Sequence, residues 1–134
     1  MSTKPIIDVS AGILRRGEHL LIARRSEAKY ENMWEFPGGK IEADESAEQC
    51  LVRELKEELD LDCTIGDLFY ESYWEGKSKT IYLQTFEVSS FEGTEKSLCH
   101  AELRWVTVME LRDYSFLPAD IPVVEHILYK HTED

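Results

Sequence analysis

The sequence predicts an α/β domain, and three observations carry that prediction. Short runs alternate bulky and polar residues at the period of a strand: IIDVSAGIL from Ile6 to Leu14, HLLIAR from His19 to Arg24, and IYLQTFEV ending at Val88. The stretch Gly38 to Leu61, GGKIEADESAEQCLVRELKEELDL, closes in an amphipathic helix, and a second apolar stripe lies at Val124, Ile127 and Leu128. The length of 134 residues suits a single domain over 1–134 with a core that sustains itself.

The elements follow in order. Ile6 to Leu14 and His19 to Arg24 are strands joined by the turn Arg15-Arg16-Gly17-Glu18, and the pair reads as a hairpin. Ser26 to Asn32 is polar and reads as loop. In Trp34-Glu35-Phe36-Pro37-Gly38-Gly39-Lys40, Pro37 holds Phe36 extended, and the glycines admit close backbone approach. Trp34 reads as a core aromatic. Asp44 is the expected N-cap of the helix, and Glu45 suits its first turn. Leu61 to Trp74 and Thr80 to Val88 form a second hairpin around Glu75-Gly76-Lys77-Ser78-Lys79, with Tyr73 and Trp74 at its mouth. Ser89 to Ser97 is loop, Val108 to Tyr114 a short helix, and Val123 to Tyr129 a C-terminal helix with Pro122 in its first turn. His19 and His126 read as ordinary surface and helix-face residues.

Composition narrows the function. Hydrophobic residues at 43% and charged ones at 31% describe a soluble globular chain. A net charge of −12 argues against a nucleic-acid polymer as partner, which normally needs a basic surface. It leaves room for a single nucleotide whose phosphates arrive with a metal. No segment reaches the roughly 20 apolar residues of a membrane span, and the start, MSTKPIIDVS, has no signal-peptide core. Cys50, Cys63 and Cys99 show no CxxC spacing, which reads as free thiols in a reducing cytoplasm.

The helix carries the chemistry. Leu51, Leu55 and Leu59, with Val52 beside them, make the stripe that faces the core. Glu54, Glu57 and Glu58 at i, i+3 and i+4 project from one face. Acidic faces are commonly just solvated. Crowded carboxylates repel by a few tenths of a kcal/mol per close pair, and a hard cation turns that cost into binding.

Gly39, then five residues, Glu45, then seven residues, then Arg53-Glu54-Leu55-Lys56-Glu57-Glu58-Leu59-Asp60-Leu61 resembles the Nudix box, G-x5-E-x7-R-E-U-x-E-E-x-G-U, where U is bulky and aliphatic. One fixed position departs: Asp60 stands where the family has glycine. A left-handed residue after the helix end accounts for it, since Asp tolerates that conformation better than most. The resemblance runs from the first strand to PADIP, residues 118–122, which is similar to MutT-type Nudix enzymes and to their CTP pyrophosphohydrolase subgroup. It implies the Nudix fold, a mixed sheet sandwiched between helices with the box as loop–helix–loop. The strand and helix order is compatible with that fold but does not select it.

The resemblance also implies a site. Glu54, Glu57, Glu58 and the Gly38 carbonyl hold Mg²⁺, with Mn²⁺ as a substitute. Glu54 is the expected base and Glu57 acts with it, while Arg53 orients the cluster. Arg25, Phe36, Lys40, Trp74 and Asp120 contact substrate, with Asp120 at the base edge. Each has a plainer reading: Arg24 and Arg25 a solvated pair, Phe36 core, Trp74 an edge cover, Asp120 a helix cap. Relatives carry Glu-His where this chain has Cys99-His100, and a neutral thiol is a poor Mg²⁺ ligand, so no ligand is carried over there. Glu102 is the nearest carboxylate, and His100 reads as structural. The implied activity is hydrolysis of a nucleoside triphosphate to monophosphate and pyrophosphate, by a monomer or homodimer. The substrate is 8-oxo-dGTP, or CTP and modified dCTP, in cleaning the nucleotide pool and hence in DNA repair. Two alternatives stand beside it: a nucleotide-sensing module without turnover, and a hydrolase of ADP-ribose or dinucleoside polyphosphates.

Overall fold

Residues 4–132 are described in the computed structural model. The strands are β1 (Ile6–Ile13), β2 (Arg15–Arg16), β3 (His19–Arg24), β4 (Trp34–Glu35), β5 (Gly38–Lys40), β6 (Asp62–Glu75), β7 (Thr80–Glu92) and β8 (Glu102–Thr107). The α-helices are α1 (Ala47–Leu59) and α2 (Ile121–Thr132), and single 3-10 turns occupy Ala28–Tyr30, Met109–Asp113 and Pro118–Asp120.

One mixed sheet has the order β5-β1-β7-β6, with β1 parallel to β7 and the other pairs antiparallel. In the second sheet β3 pairs with β8 along its length and with β2 and β4 at its ends. The hairpin of β6 and β7 is as the alternation predicts, although β7 runs on to Glu92 through a stretch read as loop.

The first predicted hairpin is corrected. β1 does not pair with β3 but lies between β5 and β7, registered from Ile6↔Thr80 to Ile13↔Glu87. The reason is burial: the second half of β1 is buried on both faces, as an interior strand covered on both sides must be. The chain changes sheet at Leu14, whose carbonyl accepts from Leu21 N at 3.1 Å. Only Arg15–Arg16 and His19–Leu20 form the tight pair, around Gly17 at φ 61°.

Alternation along β1, β3 and β7 feeds two cores. Ala11, Ile13, Leu20, Ile22 and Leu83 pack with Val123, Val124 and Ile127 of α2. Leu14, Leu21, Phe86 and Val88 pack with Leu51, Leu55 and Leu59 of α1. The sheets thus lie between the helices, the sandwich that the resemblance implied. His126 is half-buried rather than a plain surface residue, stacked on Tyr70 at 4.6 Å.

Two helix details differ from expectation. Ser46, not Asp44, caps α1: it accepts from Gln49 N at 3.0 Å while Gln49 Oε1 accepts from Ser46 N at 2.8 Å. This reciprocal pair satisfies two otherwise orphaned donors, whereas Asp44 sits at φ 70° in the preceding turn. Val52 is 41% exposed, and Cys50 fills the buried place beside the leucines. Asp60 is left-handed at φ 58°, as expected for the residue that replaces the box glycine.

Candidate active site

The box helix is pressed against β5, and the two glycines permit it. Gly39 pairs with Ser10 and Gly38 with Ala11 on β1. A Cβ on Gly39 would strike the Glu54 carboxylate, and one on Gly38 would strike the Ser10 backbone at a φ of 157°. A bare backbone at these positions therefore lets the carboxylate face of α1 approach the strand edge.

Arg53 ties the loop to that face. Its guanidinium donates to Glu45 Oε1 at 2.7 Å, Glu54 Oε1 at 2.9 Å, Glu57 Oε1 at 3.3 Å and the Lys40 carbonyl at 3.2 Å. The Arg53 hydrogen bonds hold the Glu45 carboxyl down to about 2. Arg53 is raised in turn by Glu45 first. Glu45 thus closes the loop, and its Oε1 also accepts from Glu42 N at 2.8 Å.

The three acids differ in burial. Glu57 is exposed, Glu54 partly buried, and Glu58 only 8% exposed. Burial first, then Glu54, pushes Glu58 up to about 10, while a hydrogen bond from the Gly38 backbone opposes the shift. Glu58 Oε1 is buried with no hydrogen-bond partner.

Glu35, which sequence reasoning passed over, stands beside this group. It accepts from Arg25 Nη1 at 3.1 Å and lies 2.8 Å from His100 Nε2. Its signal was available: a lone carboxylate between two buried aromatics, Trp34 and Phe36. Arg25 also donates to Glu27 at 2.7 Å, so it is held on two sides rather than solvated. Glu102 is committed elsewhere, to Arg24 at 3.3 Å and to Arg104.

A cavity of about 280 Å³ opens on β5, lined among others by Arg25, Phe36, Gly38, Lys40, Lys79 and Asp120. Four predicted substrate residues, Arg25, Phe36, Lys40 and Asp120, are thus brought together. Phe36 serves as core and wall at once, 2% exposed and stacked on Phe116 at 5.5 Å. Asp120 is 6% exposed, and burial, reinforced by Glu35, raises its pKa well above the carboxylate range. Trp74 lines the next cavity instead, with Tyr30 and Lys77; Arg25, Lys79 and Leu117 border both. Lys79 is a second residue that sequence reasoning missed, because it lies in a hairpin turn.

The donor set fits a hard divalent cation. Glu54 and Glu57 share the Arg53 guanidinium, Glu58 lies against Glu54, and Glu58 Oε1 is buried with no hydrogen-bond partner among the described residues. The acidic helix face and the cavity meet at Gly38 and Gly39 of β5.

Comparison with known proteins gives the family. The NUDIX domain model matches residues 6–127. The chain is 39% identical over 121 residues to the CTP pyrophosphohydrolase of Escherichia coli strain K12, covering 90% of each. It is 32% identical over 120 residues to the 8-oxo-dGTP diphosphatase of the same organism, covering 88% of this chain and 93% of that one. The solution structure of the Escherichia coli ORF135 protein superposes with a TM-score of 0.89 at 35% identity, covering 99% of this chain and 96% of that one. The chain belongs to the Nudix family and is a Nudix hydrolase, of a family that uses a divalent cation.

Proposed function

We propose that the protein is a Mg²⁺-dependent nucleoside triphosphate pyrophosphohydrolase that releases a nucleoside monophosphate and pyrophosphate, with cytidine triphosphates as first candidates. The observation that carries it is the junction at Gly38, which borders both the Asp120 cavity and the cleft lined by Glu58. A base seated in the first places its phosphates along the second.

Glu54, Glu57, Glu58 and the Gly38 carbonyl would hold the cation. When bound, it lowers the pKa of water and stabilises charge on phosphoryl oxygens. Glu54 takes the proton of the attacking water, and Arg53 at 2.9 Å fixes its carboxylate. Arg25 borders both the base cavity and the phosphate cleft, while Lys40 and Lys79 line the base cavity.

Asp120 favours cytosine. A neutral carboxyl donates through its O–H and accepts at its carbonyl, which matches the ring acceptor and amino donor of cytosine. An ionised carboxylate accepts only, which suits the adjacent donors of guanine. Burial, reinforced by Glu35 and opposed by Arg25, raises the Asp120 carboxyl well above its ordinary value and so shifts it towards the neutral form. The similarity to a CTP pyrophosphohydrolase supports the same choice. The 8-oxo-dGTP reading rests on relatives that carry that name, and either substrate would place the protein in nucleotide-pool cleaning.

The test is Mg²⁺-dependent pyrophosphate release from CTP, dCTP, 5-substituted dCTP, dGTP and 8-oxo-dGTP, with ADP-ribose as outgroup. Cytidine forms are expected to lead, and Glu54→Gln to lose most turnover while staying folded. A clear preference for 8-oxo-dGTP would replace the cytidine assignment. Nucleotide binding without release across the panel would overturn the catalytic one.

A further inference from the structure

The loop from Gly93 to Ala101 is laid over the C-terminal end of α1. Lys96 N donates to the Leu59 carbonyl at 2.9 Å and Leu98 N to the Glu58 carbonyl at 3.0 Å. Beyond that anchor, Ala101 N bonds the Arg24 carbonyl at 2.9 Å, and Ser26 Oγ donates to the Cys99 carbonyl at 3.0 Å. The two attachments set Cys99 and His100 directly over Glu58.

Three donor types meet there. One atom each of Glu58, Cys99 and His100 lies within 4.8 Å of the other two. Cys99 Sγ stands 3.6 Å from His100 Nδ1. A tetrahedral zinc with bonds of about 2.3 Å to sulfur and about 2.0 Å to nitrogen separates such atoms by about 3.5 Å. The imidazole is already oriented for the task. Its Nε2 faces Glu35 Oε2 at 2.8 Å while its Nδ1 faces the Cys99 sulfur, the orientation in which a neutral imidazole donating to Glu35 offers Nδ1 to a metal. A carboxylate behind a ligating histidine is the usual arrangement at metal centres. The third donor is Glu58, 8% exposed, whose buried Oε1 has no hydrogen-bond partner and lies 3.9 Å from His100 Nε2 in a residue that lines this cleft. Cys99 is itself exposed, which leaves an entry path.

We propose that Glu58, Cys99 and His100 form a site for a thiophilic divalent cation such as Zn²⁺, separate in chemistry from the all-oxygen Mg²⁺ set. Mixed thiolate, imidazole and carboxylate donors select Zn²⁺ over Mg²⁺. Binding replaces the thiol proton, which passes to solvent, with a sulfur–metal bond. Because Glu58 belongs to both sets, Zn²⁺ here withdraws a carboxylate from the Mg²⁺ site and inhibits. That inhibitory consequence rests on the proposed hydrolase reading; the binding does not.

The test uses the full chain stripped of metal and titrated with Cd²⁺ or Co²⁺, whose thiolate charge-transfer absorbance reports sulfur ligation directly. The parent protein and Cys63→Ser should show the band at one equivalent, and Cys99→Ser should lack it and bind Zn²⁺ at least tenfold more weakly by competition with a chelator. Cys99→Ser should keep its Mg²⁺-dependent turnover and lose Zn²⁺ inhibition. A thiolate band that persists in Cys99→Ser, or no band in the folded parent, overturns the site. A protein that turns over no triphosphate would still give the binding result, so the two readings fail separately.

Discussion

Glu58→Gln isolates the strain built into the carboxylate face. In the metal-free fold the Glu58 carboxyl titrates near 10 rather than 4.5. Between those values the folded protein keeps a proton that the unfolded chain has lost. Stability attached to this proton is therefore full below about 4.5 and is lost as pH rises towards about 10, at up to about 1.4 kcal/mol per pH unit. From pH 6 to 8 the loss is up to about 3 kcal/mol, or roughly one to two molar in a urea midpoint at typical m-values. Glutamine keeps an amide donor for Glu54 but does not titrate. The assay is urea unfolding in a chelator at both pH values. The parent midpoint should fall steeply, and that of Glu58→Gln should fall clearly less, leaving the slope that buried Asp120 adds to both. Saturating Mg²⁺ should raise the parent midpoint more at pH 8 than at pH 6 and should raise the variant little. Equal pH slopes in parent and variant would refute the reasoning.

Three further outcomes follow from neighbouring positions. Gly39→Ala places a methyl against the Glu54 carboxylate, so turnover should fall at least tenfold with a near-native circular dichroism spectrum; unchanged turnover would show that Glu54 need not sit there. Asp120→Asn offers the same donor and acceptor as the neutral acid and should keep cytidine hydrolysis within about tenfold, while Asp120→Ala, without either partner, should lose about 1–3 kcal/mol in kcat/KM; equal losses in both would exclude base reading by hydrogen bonds. Asp60→Ala should destabilise by about 1 kcal/mol because alanine tolerates the left-handed φ of 58° poorly, and Asp60→Gly should not, as thermal midpoints will report.

Periodicity made much of this legible. The leucine stripe of α1 and the hairpin of β6 and β7 are local patterns, and a short turn fixes the partner of each strand. The left-handed Asp60 followed from the box spacing. The partner of β1 was not legible, because its run alternates equally well whether it pairs with a neighbour or with a strand some seventy residues on. The capping of α1 by Ser46 was present as Ser-x-x-Gln, and the acid at Asp44 drew attention from it. Helical spacing grouped Glu54, Glu57 and Glu58 on one face but carried no sign that Glu58 is buried and Glu57 exposed; that difference comes from the loop that covers the helix end. Glu35 escaped for a related reason, since its partner His100 lies 65 residues away.

The parallel register of β1 with β7 has a kinetic consequence. The β6–β7 hairpin closes a short loop and can form early, on the microsecond scale of isolated hairpins. β1 can join it only after a long intervening chain, including the whole of α1, is brought round, which makes its docking entropically late. β5 has no place in the sheet until β1 is there, because its partners are Val9, Ser10 and Ala11. The glycines that let the carboxylate face of α1 approach are therefore set in place only once β5 has paired with β1, so the acidic groove is completed by a non-local contact rather than by the helix alone.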